Sequence, residues 1–344
     1  MHPGRNVRLA VRSRQARRIE RAPVCREEAM ALSNSAAAAY GLLAMYAMDM
    51  NRIGGPTRPA AAPGLEGAGW TLVAYITASD FVFPPNGPIQ LGAETVYLGF
   101  VAKNASGDFV AVVRGTDGIV EWLKDAQFAP VLYAPTLQLK GDVAGAPALV
   151  VEQGFWTVYK SMKVTDPKGV PLGDPVPAIS ALVGANANLT VIGHSLGSAI
   201  ATYLTLDLVR GVLGDRTSAC LFASPHTGNK AFVDLFDRTV RDYRMFNYIL
   251  DMVPRVPLGP DYSPLPRRTV IQPATAEANI KLDLLCNHHV VCYSAMLDYE
   301  ATQEAITPVP AGEEGSVVCI LGPETGQPTL AKQLVSDLMG FVPV

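Results

Sequence analysis

The chain predicts an α/β fold, with a central, mostly parallel sheet flanked by helices. Three observations carry that expectation. Short apolar runs suited to buried strands alternate with longer stretches of helical spacing across most of the 344 residues. Apolar residues make up 49% of the chain and charged residues 17%, enough apolar material for one large core around a sheet. Gly193-His194-Ser195-Leu196-Gly197 joins a β-branched run to a helix-spaced stretch through a turn with a glycine on each side of the serine.

In chain order, residues 36–48 predict a helix, with Ser33 and Asn34 as candidate caps and Ala37, Ala38, Leu42 and Met45 on one face. Glycine and proline punctuate 54–69, an exposed connection. The core then begins near Trp70. Strands are expected at 95–101 and 109–114, a helix at 154–162, a strand at 189–192 and a helix at 199–209. A strand at 219–223, a helix at 230–240 and a strand at 244–249 continue the alternation. A strand at 317–321 and a helix at 330–339 close the chain, giving one domain over 29–344.

Residues 1–28 are a basic segment expected to be disordered, with eight arginines between Arg5 and Arg26. Attraction to anionic headgroups, a long signal n-region and a solvated tail all stay open for it. The apolar run 36–48 is too short to span a bilayer, lies far from the start and has no clear cleavage site. Cytoplasmic and secreted locations both stay open. A net charge of -3 and the lack of a basic run interleaved with aromatics argue against nucleic acid. The five cysteines (Cys25, Cys220, Cys286, Cys292 and Cys319) are odd in number and lack metal-ligand spacing. Buried free thiols are therefore the expectation. A Cys286–Cys319 pairing stays open and would point to an oxidising compartment.

The glycine-flanked serine has the form of a nucleophile elbow, which projects a hydroxyl from a sharp strand-to-helix turn. Serine is a poor nucleophile at neutral pH unless a histidine takes its proton and a carboxylate orients that histidine. For this kind of elbow the partners follow in the order serine, acid, histidine. His226 leaves little chain for an intervening acid strand and reads as a cleft or structural residue, so the base falls to the His288-His289 pair. Asp251 follows the apolar segment 246–250 and is the preferred acid, with Asp261 a weaker loop candidate. Asp234, Asp237 and Asp242 fall in or beside a surface helix. The backbone N–H of Leu196 at the helix start is one oxyanion donor. His194 shapes the elbow.

Arg114-Gly115-Thr116, Gly154-Phe155, the 193–197 elbow, Ser224-Pro225 with Gly228-Asn229, Asp251 with Val253-Pro254-Arg255, and His288 with Tyr293 together resemble a class 3 lipase. The resemblance covers 36–298, and the five-position step from His288 to Tyr293 is similar to plant and bacterial-type members. It implies an α/β-hydrolase fold, a Ser195-Asp251-His288 triad with His289 as the alternative base, and Thr116 as the second oxyanion donor beside Leu196. Ile119, Val120, Trp122 and Leu123 would then be a candidate lid or acyl pocket, the alternative being an ordinary amphipathic helix. By their proximity in sequence to that segment, Phe128, Leu132, Tyr133 and Leu137 are expected to extend the acyl wall. Arg114 would brace its loop, with Asp125 as a candidate ion-pair partner.

The expected activity is serine carboxylic-ester hydrolysis on acylglycerols or related lipid esters through an acyl-enzyme, with transient association at a lipid interface and no metal or organic cofactor. Phospholipase A1, feruloyl-type esterase and polyester hydrolase are the alternatives within the same chemistry. A non-catalytic lipid-binding or signalling module is the alternative outside it.

Overall fold

Ser33 Oγ accepts the N–H of Ala36 at 3.2 Å and so caps the first helix, α1 (Asn34–Gly54). In the computed structural model, which describes residues 1, 32–54, 63–82, 90–116, 128–134, 147–272, 280–281, 285–306 and 319–320, α1 runs several residues beyond the predicted end. The arginine-rich segment, Cys25, the candidate lid (Ile119, Val120, Trp122 and Leu123), Asp125, Leu137 and the 330–339 helix lie outside the described residues. Parts of the 54–69 connection and of the 317–321 strand do so too. Met1–Leu32 and Ser33–Val344 are separate units, and among the described residues every helix and strand belongs to the second.

The short helix α2 (Pro63–Gly67) leads into two long strands, β1 (Trp70–Val82) and β2 (Gln90–Asn104). These pair antiparallel with each other, and β2 pairs antiparallel with β3 (Phe109–Val113). Every residue of β3 is buried, so its sequence is a continuous apolar run and not an alternation. A separate antiparallel pair, β4 (Pro130–Leu132) and β5 (Val150–Glu152), precedes α3 (Gln153–Ser161). Glu152 caps α3 by accepting the Phe155 N–H at 2.7 Å, and burial pushes its carboxyl up to about 7. Two short strands, β6 (Lys163–Thr165) and β7 (Pro171–Gly173), and the helix α4 (Pro175–Val183) follow.

The remaining elements alternate as expected: β8 (Leu189–His194), α5 (Leu196–Arg210), β9 (Thr217–Phe222), α6 (Lys230–Thr239) and β10 (Tyr243–Tyr248). Then come β11 (Arg268–Ile271), α7 (Val290–Leu297) and α8 (Tyr299–Ile306). The nine-stranded sheet has the order β11-β10-β9-β8-β3-β2-β1-β6-β7. Its first five strands run parallel and its last four antiparallel, so the α/β fold is as predicted and the parallel part is the half that carries the site. The registers Val113↔Gly193, His194↔Phe222 and Phe222↔Phe246 bring the ends of β3, β8, β9 and β10 to one edge.

The helix behind the elbow, α5, is buried from Leu196 to Leu208, which explains why its apolar residues surround it and do not form a stripe. Its two buried threonines, Thr202 and Thr205, donate back to the carbonyls of Ser198 and Ala201. Asp207, also buried, accepts the phenols of Tyr133 and Tyr159, each at 2.7 Å. Gly41 lets α1 rest on α7, since a Cβ there would lie 2.2 Å from Ser294 Oγ. Among the described residues no helix is long and apolar enough to cross a membrane.

Cys286 and Cys319 form a disulfide, which corrects the expectation of free thiols at these two positions. Cys220 and Cys292 are buried thiols. A cross-link between residues 33 apart restricts the unfolded chain by roughly 3.7 kcal/mol on the loop-entropy account.

Candidate active site

The elbow is built from backbone contacts that only glycine permits. A Cβ on Gly193 would lie 2.5 Å from the Gly197 carbonyl oxygen, and a Cβ on Gly197 would lie 2.3 Å from that of Val113 and 2.4 Å from that of Arg114. The first turn of α5 therefore rests directly on the end of β3. Between the glycines, Ser195 takes φ 57° and ψ -128°, a conformation that costs a residue with a side chain of order 1–3 kcal/mol. Its N–H donates to Phe222 O at 3.0 Å. Ser198 Oγ reinforces the turn, lying 2.7 Å from both Gly193 O and Phe222 O and accepting the Phe222 N–H at 3.1 Å. Gly197→Ala is expected to cost about 3 kcal/mol in urea unfolding, because backbone atoms would have to move. Gly67→Ala, with nothing within 4 Å of its added carbon, is the matched control and should be nearly neutral.

Asp251 follows β10 and is buried. Its Oδ1 accepts the Val253 N–H at 2.9 Å, while Oδ2 accepts the Nδ1–H of His288 at 2.8 Å and the hydroxyl of Tyr293 at 2.7 Å. Tyr293 on α7 in turn accepts the Tyr248 N–H at 2.9 Å, so one phenol joins the acid to the end of β10. Burial, then the nearby Asp251 charge, pushes that phenol well above its usual value, and it remains a neutral donor. The hydrogen bond at Nδ1 leaves the other ring nitrogen of His288 facing away from the acid. Neither His288 Nε2 nor Ser195 Oγ has a hydrogen-bond partner, and both atoms are buried.

His194 connects the two. Its Nε2–H donates to the His288 carbonyl at 2.7 Å, and the two rings lie 4.7 Å apart at 40°. Burial, then the neighbouring His288, holds the His194 ring well below the usual histidine range, so it stays neutral. It ties the elbow to the backbone of His288. His226 is also structural in its contacts: its ring lies 2.9 Å from Pro257 O, and its N–H donates to Val256 O. His289 stands at the N-cap of α7, and it is the ring of His288, not of His289, that meets Asp251. Asp234 and Asp237 pair with Lys230 and Arg267 on the surface, and Asp261 is exposed.

Leu196 is the first residue of α5, where no helical carbonyl claims the N–H. The strand end that leads to Thr116 packs against the elbow, since a Cβ on Gly115 would lie 3.3 Å from Ser195 Cβ. Arg114 braces this loop by donating to Tyr97 O at 2.9 Å and Gly115 O at 2.8 Å. Tyr133 does not extend an acyl wall. It lies in the core against Trp156 and Phe232, bonded to Asp207, while Leu132 is exposed. Sequence spacing missed the Tyr293–Asp251 and His194–His288 contacts because both join residues far apart in the chain. The Tyr293 side chain was visible only as a position five residues after His288.

The matched segment carries most of this arrangement. Residues 110–260 match the class 3 lipase family. This lipase-like segment includes Thr116, Ser195, Leu196 and Asp251, and stops short of His288 and Tyr293. Among relatives, the chain is 28% identical over 239 residues to phospholipase A1-II 6 of Oryza sativa subsp. japonica, covering 59% of this chain and 56% of that protein. It is 29% identical over 163 residues to the secreted mono- and diacylglycerol lipase A of Penicillium cyclopium, covering 46% and 47%. The chain thus spans about half the length of the relatives it matches. A crystal structure of a mutant form of MDLA from Penicillium cyclopium aligns with 72% of this chain and 82% of that one, at a TM-score of 0.48 and 22% identity. The relatives are plant and fungal, and the bacterial-type narrowing of the resemblance finds no counterpart among them.

Proposed function

We propose that residues 29–344 form a lipase-type serine hydrolase that cleaves carboxylic esters of lipids through an acyl-enzyme. The observation that carries this reading is the buried His288 Nδ1–Asp251 Oδ2 hydrogen bond, tied through His194 to a serine held at φ 57°. In this mechanism Ser195 Oγ attacks the acyl carbonyl carbon while His288 Nε2 takes the hydroxyl proton. The charge that develops on the carbonyl oxygen is met by the backbone N–H groups of Leu196 and Thr116, and Asp251 holds the imidazolium. His288 then gives the proton to the departing alcohol oxygen. Water, activated by the same ring, attacks the acyl-serine and releases the acid.

Acylglycerols are the favoured substrates, and a transient lipid interface is the favoured setting. Phospholipids are the second reading, supported by the phospholipase A1 names of the rice relatives. A binding-only module gives no reason for a base, an acid and an unpartnered elbow hydroxyl to be held together. Nucleic acid has no part in this reading, and the residues of the mechanism need no metal.

The test is initial rates on p-nitrophenyl esters from acetate to palmitate, below and above substrate aggregation, with dioleoylglycerol and phosphatidylcholine vesicles in parallel. Turnover that rises with chain length and jumps at aggregation is expected for the lipid-ester reading. Turnover confined to short, monomeric esters would replace it with a general esterase, and none at all would restore the binding module.

A further inference from the structure

The backbone around His288 is held from both sides. On the C-terminal side, α7 is buried over seven of its eight residues, Val290 to Met296. On the N-terminal side, the turn Leu285–His288 closes with the His288 N–H on Leu285 O at 2.9 Å, and within that turn Cys286 is bonded to Cys319. Both cysteines are buried, at 3% and 2% exposure. Cys319 belongs to a short backbone pairing in which Ile280 bridges Ile320 and the Lys281 N–H donates to Cys319 O at 2.8 Å. The cystine therefore joins the turn that presents the base to a hydrogen-bonded pair of segments outside the nine-stranded sheet.

We propose that the Cys286–Cys319 disulfide is a positioning element for His288, so that turnover depends on the cystine being formed. The inference rests on the reading of His288 as the base. One residue, Asn287, separates the cross-link from His288, whose ring Nδ1 must meet Asp251 Oδ2 and whose backbone carbonyl must meet the His194 ring, both at hydrogen-bond distance. Releasing the turn frees the ring to leave that geometry, and a misplacement of about 1 Å can lower a rate about 100-fold. Substrate contacts made by other loops are left in place, so binding is spared. Reduction by dithiothreitol is balanced: the S–S bond takes two electrons and two protons to give two thiols, and the reagent is oxidised to its cyclic disulfide.

The experiment uses the full chain in three forms: oxidised, reduced with dithiothreitol, and Cys286→Ser/Cys319→Ser. Mass spectrometry checks the state of the bond and circular dichroism checks the fold at the assay temperature. For each form kcat, KM and the acid limb of the pH–rate profile are measured with p-nitrophenyl butyrate. The expected result is a kcat lowered 10- to 100-fold, a KM within about twofold, a displaced acid limb, and recovery on reoxidation of the reduced protein but not of the double variant. Unchanged kcat and acid limb in folded, reduced protein would overturn the proposal and leave the hydrolase reading standing. So would a loss of rate that only follows the unfolded fraction, with the acid limb unmoved. An oxidised protein inactive on every ester overturns the hydrolase reading and this proposal with it. Should the double variant fail to fold, the reduced protein assayed at 10 °C gives the same comparison.

Discussion

Ser195→Ala is expected to lower kcat for ester hydrolysis by about 10⁶-fold, the scale seen when a triad nucleophile is removed. The oxygen that is lost makes no hydrogen bond in the structure, so the fold gives up none. Alanine also inherits the same backbone conformation at φ 57°, and the strain at the elbow is unchanged. The melting temperature should therefore stay within about 2 °C, on a scale where 1 kcal/mol moves a chain of this size by roughly 1–2 °C. Burst-phase kinetics with p-nitrophenyl butyrate, alongside thermal melts, make the comparison. Activity within tenfold of the parent would remove Ser195 from the chemistry.

Asp251→Asn should cost about 10⁴-fold in kcat and destabilise the fold as well. The carboxylate oxygen Oδ2 accepts from two donors, the ring of His288 and the phenol of Tyr293. An amide that keeps its oxygen on the Val253 N–H must turn its NH₂ group toward both. That group donates to His288 Nδ1 and so drives the ring proton to Nε2, the nitrogen that has to receive the serine proton. The base is then present in the wrong tautomer. The Tyr293 hydroxyl meets a second donor where it had an acceptor, at a cost of about 1–3 kcal/mol in folding. A kcat within tenfold of the parent, with unchanged urea stability, would mean that the buried hydrogen bonds do not orient the base.

What could be read from the sequence was what is local or set by period. The elbow needed only five adjacent residues and the β-branched run before them. The strands around it could be found because β3, β8 and β9 are short, apolar and buried along their length. Asp251 stands out in the sequence by its place after a strand. The choice between His288 and His289 could not be made from residues alone, because it depends on which way the turn Leu285–His288 aims each ring. The helix α7 left no signal since it is buried on nearly all sides and too short to show a period, and with it the role of Tyr293 was missed. Tyr133 misled for the opposite reason: closeness in sequence to the candidate lid says nothing about which face of the chain a ring occupies. The cystine stayed open because spacing does not reveal pairing.

The alignment of the parallel strand ends separates two kinds of constraint. Thr116, Ser195 and Asp251 each come after a different strand, and His288 comes from a turn beyond the sheet, so the chemistry proposed for them would draw on four separate lengths of chain. The hydrogen-bonded ladder between those strands holds none of the reacting groups. A loop can then be lengthened or recomposed beyond its proposed catalytic residue without shifting the register of its neighbours. Under the proposed function, substrate range would be free to drift in this architecture while the reaction itself stays the same.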